Sequence, residues 1–152
     1  MRHTRKILAL PPILVSMLLS PTLLLAAESE KDAVKAVVQS AYVEGVHANP
    51  DAAKMRQGFS PDFRMLVLRD GKMTSVTLED WIGRMEANRK QNPDAPKPAV
   101  HAEFPVVDVT ENEAVVKVEL YRDGKHAFTD LLLLYKFPDG WKIVSKIFQA
   151  YS

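Results

Sequence analysis

The chain of 152 residues contains no cysteine. Zinc fingers, iron–sulfur sites and thiol catalysis all depend on cysteine, so the composition excludes these classes. A dense face of Lys and Arg is also missing. The whole chain has 20 basic and 19 acidic residues, a formal net charge of +1. Three of the basic residues, Arg2, Arg5 and Lys6, lie at the N terminus, and without them the net charge is −2. Nucleic acids and anionic lipid surfaces require clustered positive charge, so neither is an expected partner.

The N-terminal segment has the order of a secretory signal peptide. Met1 to Lys6 is basic, Ile7 to Leu25 is mostly apolar, and Ala26-Ala27 precedes an acidic start. Three prolines interrupt the apolar run, which makes it a poor membrane span. We therefore expect residues 1–27 to be removed and residues 28–152 to form a single domain. The product is expected to be periplasmic or secreted and to have no membrane attachment after cleavage.

Helix signals occupy the first half of the mature chain. Ser29 with Asp32 has the form of a capping box before a run of apolar residues at helical spacing. Asn49-Pro50-Asp51 predicts the start of a short helix that ends near Phe59. Thr77 with Asp80 predicts the cap of a third helix, whose buried stripe comprises Leu78, Trp81, Ile82 and Met85.

Strand signals follow. Asp70-Gly71 between two apolar runs predicts a hairpin before the third helix. From Val100 onward the apolar period changes to two, which predicts four consecutive strands. These strands are Val100–Val109, Ala114–Tyr121, Lys125–Phe137 and Trp141–Ala150. The whole order predicts an α+β domain in which three N-terminal helices pack on a mainly antiparallel sheet.

The last strands separate into two faces if Asp123-Gly124 forms a two-residue turn. That register places Lys117 opposite Asp130 and diagonal to Lys146, on a face that mixes apolar and charged residues. We expect Asp130 to form an ion pair there, and this mixed face to hold the subunits of a homodimer together. The other face is predicted to form the core, and its polar or aromatic members include Thr129, Tyr135, Trp141 and Ser145.

Several short strings, taken in their joint order, resemble a known family. They are Val37–Gly45, Phe59–Phe63, Asp70-Gly71-Lys72, Thr129-Asp130-Leu131 and Gly140–Lys146. Together they resemble the branch of the nuclear transport factor 2-like superfamily described as "Putative lumazine-binding". The resemblance implies a cone-shaped, cystatin-like α+β fold: a curved sheet wrapped around helices, a pocket inside the cone, and dimerisation through the sheet.

The residues favour ligand binding over catalysis. In related isomerases the resemblance implies a general base on the strand after Ser60-Pro61-Asp62, but here Met65–Leu68 offers no proton acceptor. We therefore predict an exported protein that binds a small apolar or aromatic molecule, without a catalytic base and without a cofactor. The candidate pocket residues are Tyr42, Trp81, Thr129, Tyr135, Trp141 and Ser145.

Two alternatives remain. The first is a small isomerase, dehydratase or cyclase that uses Tyr42 with His101 or Glu103, which share one strand face. The second is a protein-interaction module in which side chains simply fill the cone. The three histidines of the mature chain are too scattered for a metal site to be predicted.

Overall fold

The computed structural model describes residues 21–151, with side chains from residue 25 onward, so the first 20 residues of the predicted leader lie outside it. Helix α1 spans Pro21–Val37 and continues directly into a π-helical segment, Val38–Ala48. The wider turn is visible at its end, where the Asn49 amide donates to the Glu44 carbonyl at 2.9 Å. The capping box predicted at Ser29 is wrong, because this residue lies within α1.

Helix α2, Ala52–Gly58, is capped by Asp51 rather than by Asn49. The Asp51 carboxylate accepts hydrogen bonds from the amides of Ala53 and Lys54, at 2.9 and 3.1 Å. Gly58 closes the helix at a close approach to the π-helical segment. A Cβ at position 58 would overlap the Cβ of Ala41, so only glycine fits there without a shift of the backbone.

Strands β1, Phe59–Arg69, and β2, Lys72–Thr77, form the predicted hairpin around Asp70-Gly71, both of which have positive φ. Helix α3, Leu78–Gln91, then begins at the predicted cap. The Thr77 hydroxyl accepts a hydrogen bond of 3.1 Å from the Asp80 amide. Leu78 and Ile82 of the predicted stripe are buried, and Trp81 and Met85 pack beside them.

The remaining chain forms four strands at the predicted places. They are β3 (Val100–Thr110), β4 (Glu113–Arg122), β5 (Lys125–Phe137) and β6 (Gly140–Ala150). The six strands form one curved sheet of order β2-β1-β6-β5-β4-β3, antiparallel except for the β1–β6 pair. The α+β class is therefore confirmed. The core lies between the inner face of this sheet and the helices.

Two β-bulges change which residues face the core. Tyr121 pairs with His126 as predicted, but Leu120 pairs with Phe128, so Ala127 is an extra residue. Val144 is likewise skipped between the pairs that Ile143 and Ser145 make with β5. Each extra residue inverts the faces of the strand that follows it, because side chains alternate along a strand.

The predicted core face is consequently wrong for most of β5 and for the second half of β6. Asp130 pairs with Val118 instead of Lys117 and turns inward, as does Lys146. Thr129, Tyr135 and Ser145 turn outward. The prediction is right for Trp141, which is buried. It is also right for Lys117, which stays on the outer face and forms a salt bridge of 2.7 Å with Glu119 of the same strand.

The outer face of the sheet carries an apolar patch. Its members are each exposed by 40–51% of their surface, and they are Leu131, Leu133, Tyr135, Phe137 and Ile147. Leu131 and Ile147 are direct cross-strand partners, so the patch is continuous across β5 and β6. We call this set the outer apolar patch.

Candidate functional site

Three polar side chains meet between the helices and the inner face of the sheet. The Lys146 ammonium donates to the Tyr42 hydroxyl at 2.6 Å and to the Asp130 carboxylate, with which it forms an ion pair. Asp130 and Tyr42 are fully buried, and 4% of Lys146 is exposed. A buried charge pair of this kind is costly to desolvate, so its presence in the interior requires an explanation.

The backbone positions each member of this group. Tyr42 comes from the π-helical segment, where the apolar stripe of the helix turns its ring toward the sheet. Asp130 lies on β5 and Lys146 on β6. Their direct partners are Phe148 and Leu132, so the two charged side chains are diagonal neighbours on the inner face.

Aromatic rings surround the ammonium. The Lys146 Nζ atom lies 4.6 Å from the ring centroid of Tyr42, 4.7 Å from that of Phe148, and 5.7 and 5.9 Å from those of Trp81 and Phe128. The faces of Trp81, Phe128 and Phe148 can attract a cation within about 6 Å, whereas Tyr42 contacts the ammonium through its hydroxyl oxygen. The rings of Trp81, Phe128 and Phe148 are only partly buried, so they form the border between the polar group and solvent.

A second polar pair adjoins the first. The Arg122 guanidinium donates to His47 Nδ1 at 2.7 Å, and the rings of His47 and Tyr42 are in edge contact, with centroids 4.8 Å apart. Since Nδ1 accepts a hydrogen bond from Arg122, the neutral imidazole carries its proton on Nε2. We call Tyr42, His47, Arg122, Asp130 and Lys146 the interior polar cluster.

Burial sets the protonation of this cluster. It lowers the pKa of His47 well below the ordinary value, and the cations Lys146 and Arg122 lower it further. The pKa of Lys146 is also lowered by burial, an effect that the Asp130 carboxylate opposes. The pKa of Tyr42 is raised well above 10 by burial and by Asp130. Tyr42 is thus a neutral hydroxyl and His47 a neutral imidazole at physiological pH.

Three buried atoms of the cluster have no hydrogen-bond partner among the described residues. They are His47 Nε2, Arg122 Nε and Asp130 Oδ2. Two of them are donors and one is an acceptor. Unpaired buried polar groups cost about 1–3 kcal/mol each, so such a set is typical of a site that receives water or a ligand.

Two clefts flank the β1–β2 hairpin, and Phe148 lines both. On the inner side a cleft of about 850 Å³ is lined by Met65, Val67, Arg69, Asp70, Lys72, Thr74, Ser75, Val76, Arg84 and Phe148. On the other side a cleft of about 700 Å³ reaches the outer apolar patch at Leu131 and Ile147. We call the first of these the inner cleft.

The structure brings together two of the predicted pocket residues and separates the others. Tyr42 and Trp81 lie at the interior polar cluster. The Trp141 indole instead donates to Glu30 of α1 at 2.9 Å. Thr129, Tyr135 and Ser145 are on the outer side of the sheet, where Thr129 contacts Glu119 and Ser145 donates to the Arg64 carbonyl.

His101 and Glu103 do not join Tyr42. Their neighbours Ala102 and Phe104 pack against the core, so the two side chains point to the opposite side of β3. There they are exposed by 69% and 59% and lie 3.5 Å from each other. The alternative catalytic set of Tyr42 with His101 or Glu103 is not assembled in the fold.

Sequence reasoning missed the inward position of Asp130 and Lys146 and the roles of His47 and Arg122. Asp130 does form an ion pair, but its partner is the diagonal Lys146 rather than Lys117, which was expected directly opposite, and the pair lies in the interior. The premise that the interior lacks an acid or a base is therefore wrong.

In the part of the chain that the structure describes, no helix combines the length and apolar character needed to cross a membrane.

Comparisons with known proteins agree on the fold. A family model described as "Putative lumazine-binding" matches residues 29–149. A solved NTF2-like protein of unknown function from Shewanella baltica is 25% identical, with a TM-score of 0.68, and the match covers 82% of this chain and 96% of that one. An NTF2-like protein from Silicibacter pomeroyi is 20% identical, with a TM-score of 0.62 over 88% of this chain and 100% of that one.

One characterised relative carries an enzyme name. The protein named Aldolase FrzH, from Cladobotryum sp, is 30% identical to this chain over 124 residues. The match covers 81% of this chain and 93% of that protein. The similarity therefore extends over nearly the whole of the relative.

Proposed function

Because the chain belongs to the "Putative lumazine-binding" family of the nuclear transport factor 2-like superfamily, we propose that it binds a small aromatic or largely apolar molecule at the mouth of its cone. The observation that carries the proposal is the set of buried atoms on His47, Arg122 and Asp130 that have no partner among the described residues, in a cluster that the rings of Trp81 and Phe128 adjoin. A flat ligand would stack on the rings and pair with these polar atoms.

Native mass spectrometry of gently purified protein tests this proposal. We expect a non-covalent adduct on the wild-type protein that is weakened in Trp81→Leu, because Trp81 is a ring at the mouth. The control His101→Gln, which alters an exposed side chain on the other face of β3, should keep the adduct. Protein that carries no adduct, and takes up none from an extract of its host, would favour a filled cone that serves only as an interaction module.

An enzyme that acts on carbonyl compounds is the second candidate function. It is favoured by the neutral Tyr42 hydroxyl beside the Asp130 carboxylate, and by the 30% identity to a protein named as an aldolase. A hydroxyl is suited to donate to a carbonyl oxygen as negative charge develops there, and a carboxylate is suited to accept the neighbouring proton.

Solvent deuterium exchange into enolisable ketones, followed by NMR, tests the enzyme. We expect Asp130→Asn to lower the exchange rate by about 10²-fold or more, since a general base typically contributes that much. Glu103→Gln is the matched control, because this exposed carboxylate is outside the interior polar cluster. An equal loss in both variants, or a loss that only matches the unfolded fraction of Asp130→Asn measured by circular dichroism, would argue against Asp130 as the base.

Export and dimerisation complete the proposal. The basic and apolar N-terminal segment supports removal of residues 1–27 and a periplasmic or secreted product. An intact mass that begins at Met1, measured on protein from the native host, would contradict export. The outer apolar patch supports a homodimer, because monomeric proteins rarely leave a contiguous apolar surface of this kind in water.

A further inference from the structure

Lys146 has the environment of an amine that attacks carbonyl carbon. It is desolvated among aromatic rings, and it touches both a carboxylate and a hydroxyl. Lysines become nucleophilic when burial favours the neutral amine, and such lysines form imines with aldehydes and ketones. The Asp130 atom Oδ2, which has no partner among the described residues, can accept the proton that the ammonium must lose.

The sheet places this amine next to two residues that line the inner cleft. Lys146 is the Cα partner of Met65 in the last pair that β1 makes with β6. Met65 and Phe148 both line the inner cleft, and the Phe148 ring centroid is 4.7 Å from the Lys146 Nζ atom. Phe148 is therefore the side chain that separates the amine from the cleft, and its rotation would connect them.

The charges of the inner cleft indicate the second group of the ligand. Arg69, Lys72 and Arg84 contribute cations to its described lining, whereas Asp70 contributes the one carboxylate. A cleft with this excess of positive charge favours an anionic group on whatever enters it. Arginine is moreover well suited to carboxylates, because its planar guanidinium donates two parallel hydrogen bonds.

From these observations we propose that Lys146 forms an imine with a 2-oxo acid whose carboxylate lies among the cations of the inner cleft. The proposal rests on the carbonyl-directed function proposed above and names its substrate class. The aromatic border of the interior polar cluster further favours a 2-oxo acid with an aromatic side chain.

The step balances without any other reagent. The Lys146 ammonium passes one proton to Asp130, and the free amine forms a bond to the carbonyl carbon while Tyr42 donates a hydrogen bond to the carbonyl oxygen. That oxygen takes a proton from the attacking nitrogen and becomes a hydroxyl. The proton held by Asp130 then moves to the hydroxyl, which leaves as water. The ammonium and the ketone have become a protonated imine and water.

Reductive trapping on the wild-type protein tests the proposal. The probe is phenylpyruvate with sodium cyanoborohydride at neutral pH, and modified lysines are located by peptide mass spectrometry. We expect Lys146 to be modified faster than Lys117, because burial lowers the pKa of the Lys146 amine and so favours its neutral, nucleophilic form. Lys117 is the internal control because Glu119 raises its pKa on the outer face.

Two comparisons sharpen the result. Phenylacetone has the same ring and ketone but no carboxylate, so it should trap Lys146 more slowly; equal rates would overturn the assignment to 2-oxo acids. Phe148→Ala should speed trapping at Lys146 and leave Lys117 unchanged. If burial simply protects the amine, Lys146 will be the slowest lysine to react, and the imine is then excluded.

The failure of this inference is distinct from failure of either function proposed above. Deuterium exchange into ketones by a protein whose Lys146 is never trapped overturns the imine and leaves the carbonyl-directed function intact. The non-covalent adduct sought by native mass spectrometry does not require an attack by Lys146. An adduct on a protein whose Lys146 is never trapped overturns the imine and leaves the binding function intact. Absence of both the adduct and the trapped lysine removes the binding function as well.

Discussion

At the scale of single residues, the buried ion pair of Asp130 and Lys146 dominates the interior. Each charge loses its hydration on burial, and only the partner charge, the Tyr42 hydroxyl and the surrounding rings replace it. Loss of either partner leaves the other charge uncompensated. The pair therefore couples the stability of the fold to the site at which we propose that chemistry takes place.

The first prediction concerns this pair. Lys146→Met is expected to lower the free energy of unfolding by about 3–5 kcal/mol, because it leaves the Asp130 carboxylate buried without a cation. The double variant Asp130→Leu with Lys146→Met should recover most of that loss. Urea unfolding measures both. Lys117→Met, at the half-exposed pair with Glu119, is the control, and a cost for Lys146→Met no larger than for this control would contradict the prediction.

The second prediction concerns His47 and pH. Burial depresses the pKa of His47 in the folded state, so the unfolded chain takes up the proton first as the pH falls below about 6.5. Above about pH 6.5, where His47 is neutral in both states, the free energy of unfolding keeps its full value. Below that pH it falls by up to about 1.4 kcal/mol per pH unit.

Unfolding in urea at pH 7.5 and pH 5.5 measures this dependence. His47→Gln should reduce the difference in stability between the two conditions. His101→Gln, at an exposed imidazole, should leave the difference unchanged. If His47→Gln and the wild-type protein lose the same stability on acidification, His47 is not the group responsible.

At the scale of secondary-structure elements, α2 packs closely against the π-helical segment. Gly58 lies directly against Ala41. The third prediction is that Gly58→Ala costs about 1–3 kcal/mol, as is typical when a tight contact is overpacked. Adding Ala41→Gly should restore part of the stability by removing the opposing methyl group.

Gly83 provides the matched control for this prediction. It lies on the exposed side of α3, and a Cβ added there would have no atom within 4 Å apart from its chain neighbours and the backbone of its own helix. Gly83→Ala is expected to stabilise the protein by about 0.5–1 kcal/mol, because alanine favours a helix over glycine. Thermal unfolding measures both variants. Equal effects of the same sign would show that helix propensity, not the contact with Ala41, decides the outcome.

Much of the element order was predictable, whereas the inner face of the sheet was not. The Thr77 cap and the Asp70-Gly71 and Asp123-Gly124 turns depend on local chemistry, and they appear where the residues predict them. The bulge at Ala127 has no such local signature. The run Leu131–Leu134 is apolar in both alternation phases, so either phase satisfies a buried face and the pattern does not reveal the inversion.

Because of that inversion, the sequence predicted only part of the candidate site. Tyr42 and Trp81 were predictable because helical periodicity places them toward the sheet. Asp130 and Lys146 were placed on the wrong face, since the predicted register counted no extra residue between Asp123-Gly124 and Asp130. The sequence did contain one signal of the site. Asp130 and Lys146 carry opposite charges, are neighbours in either register, and lie among leucine, isoleucine and phenylalanine residues.

At the scale of the whole molecule, the outer apolar patch is the surface that the fold leaves uncovered. The fourth prediction follows from the proposed homodimer. Leu133→Glu should convert the dimer to a monomer, because it places a charge in the centre of the patch. Ala87→Glu, which adds the same charge on the exposed side of α3, should leave the dimer intact. Analytical ultracentrifugation distinguishes the two states, and a wild-type monomer would contradict the proposal.

The position of β6 in the sheet has a consequence for how the chain folds. This strand is the last along the chain, yet it lies between β1 and β5 and joins the two parts of the sheet. Without β6, the first hairpin and the later meander have no common neighbouring strand in the sheet. Such distant pairings form slowly, because the intervening loop must close first. Folding is therefore expected to require β6, and a chain truncated before Gly140 should remain a substrate for chaperones and proteases.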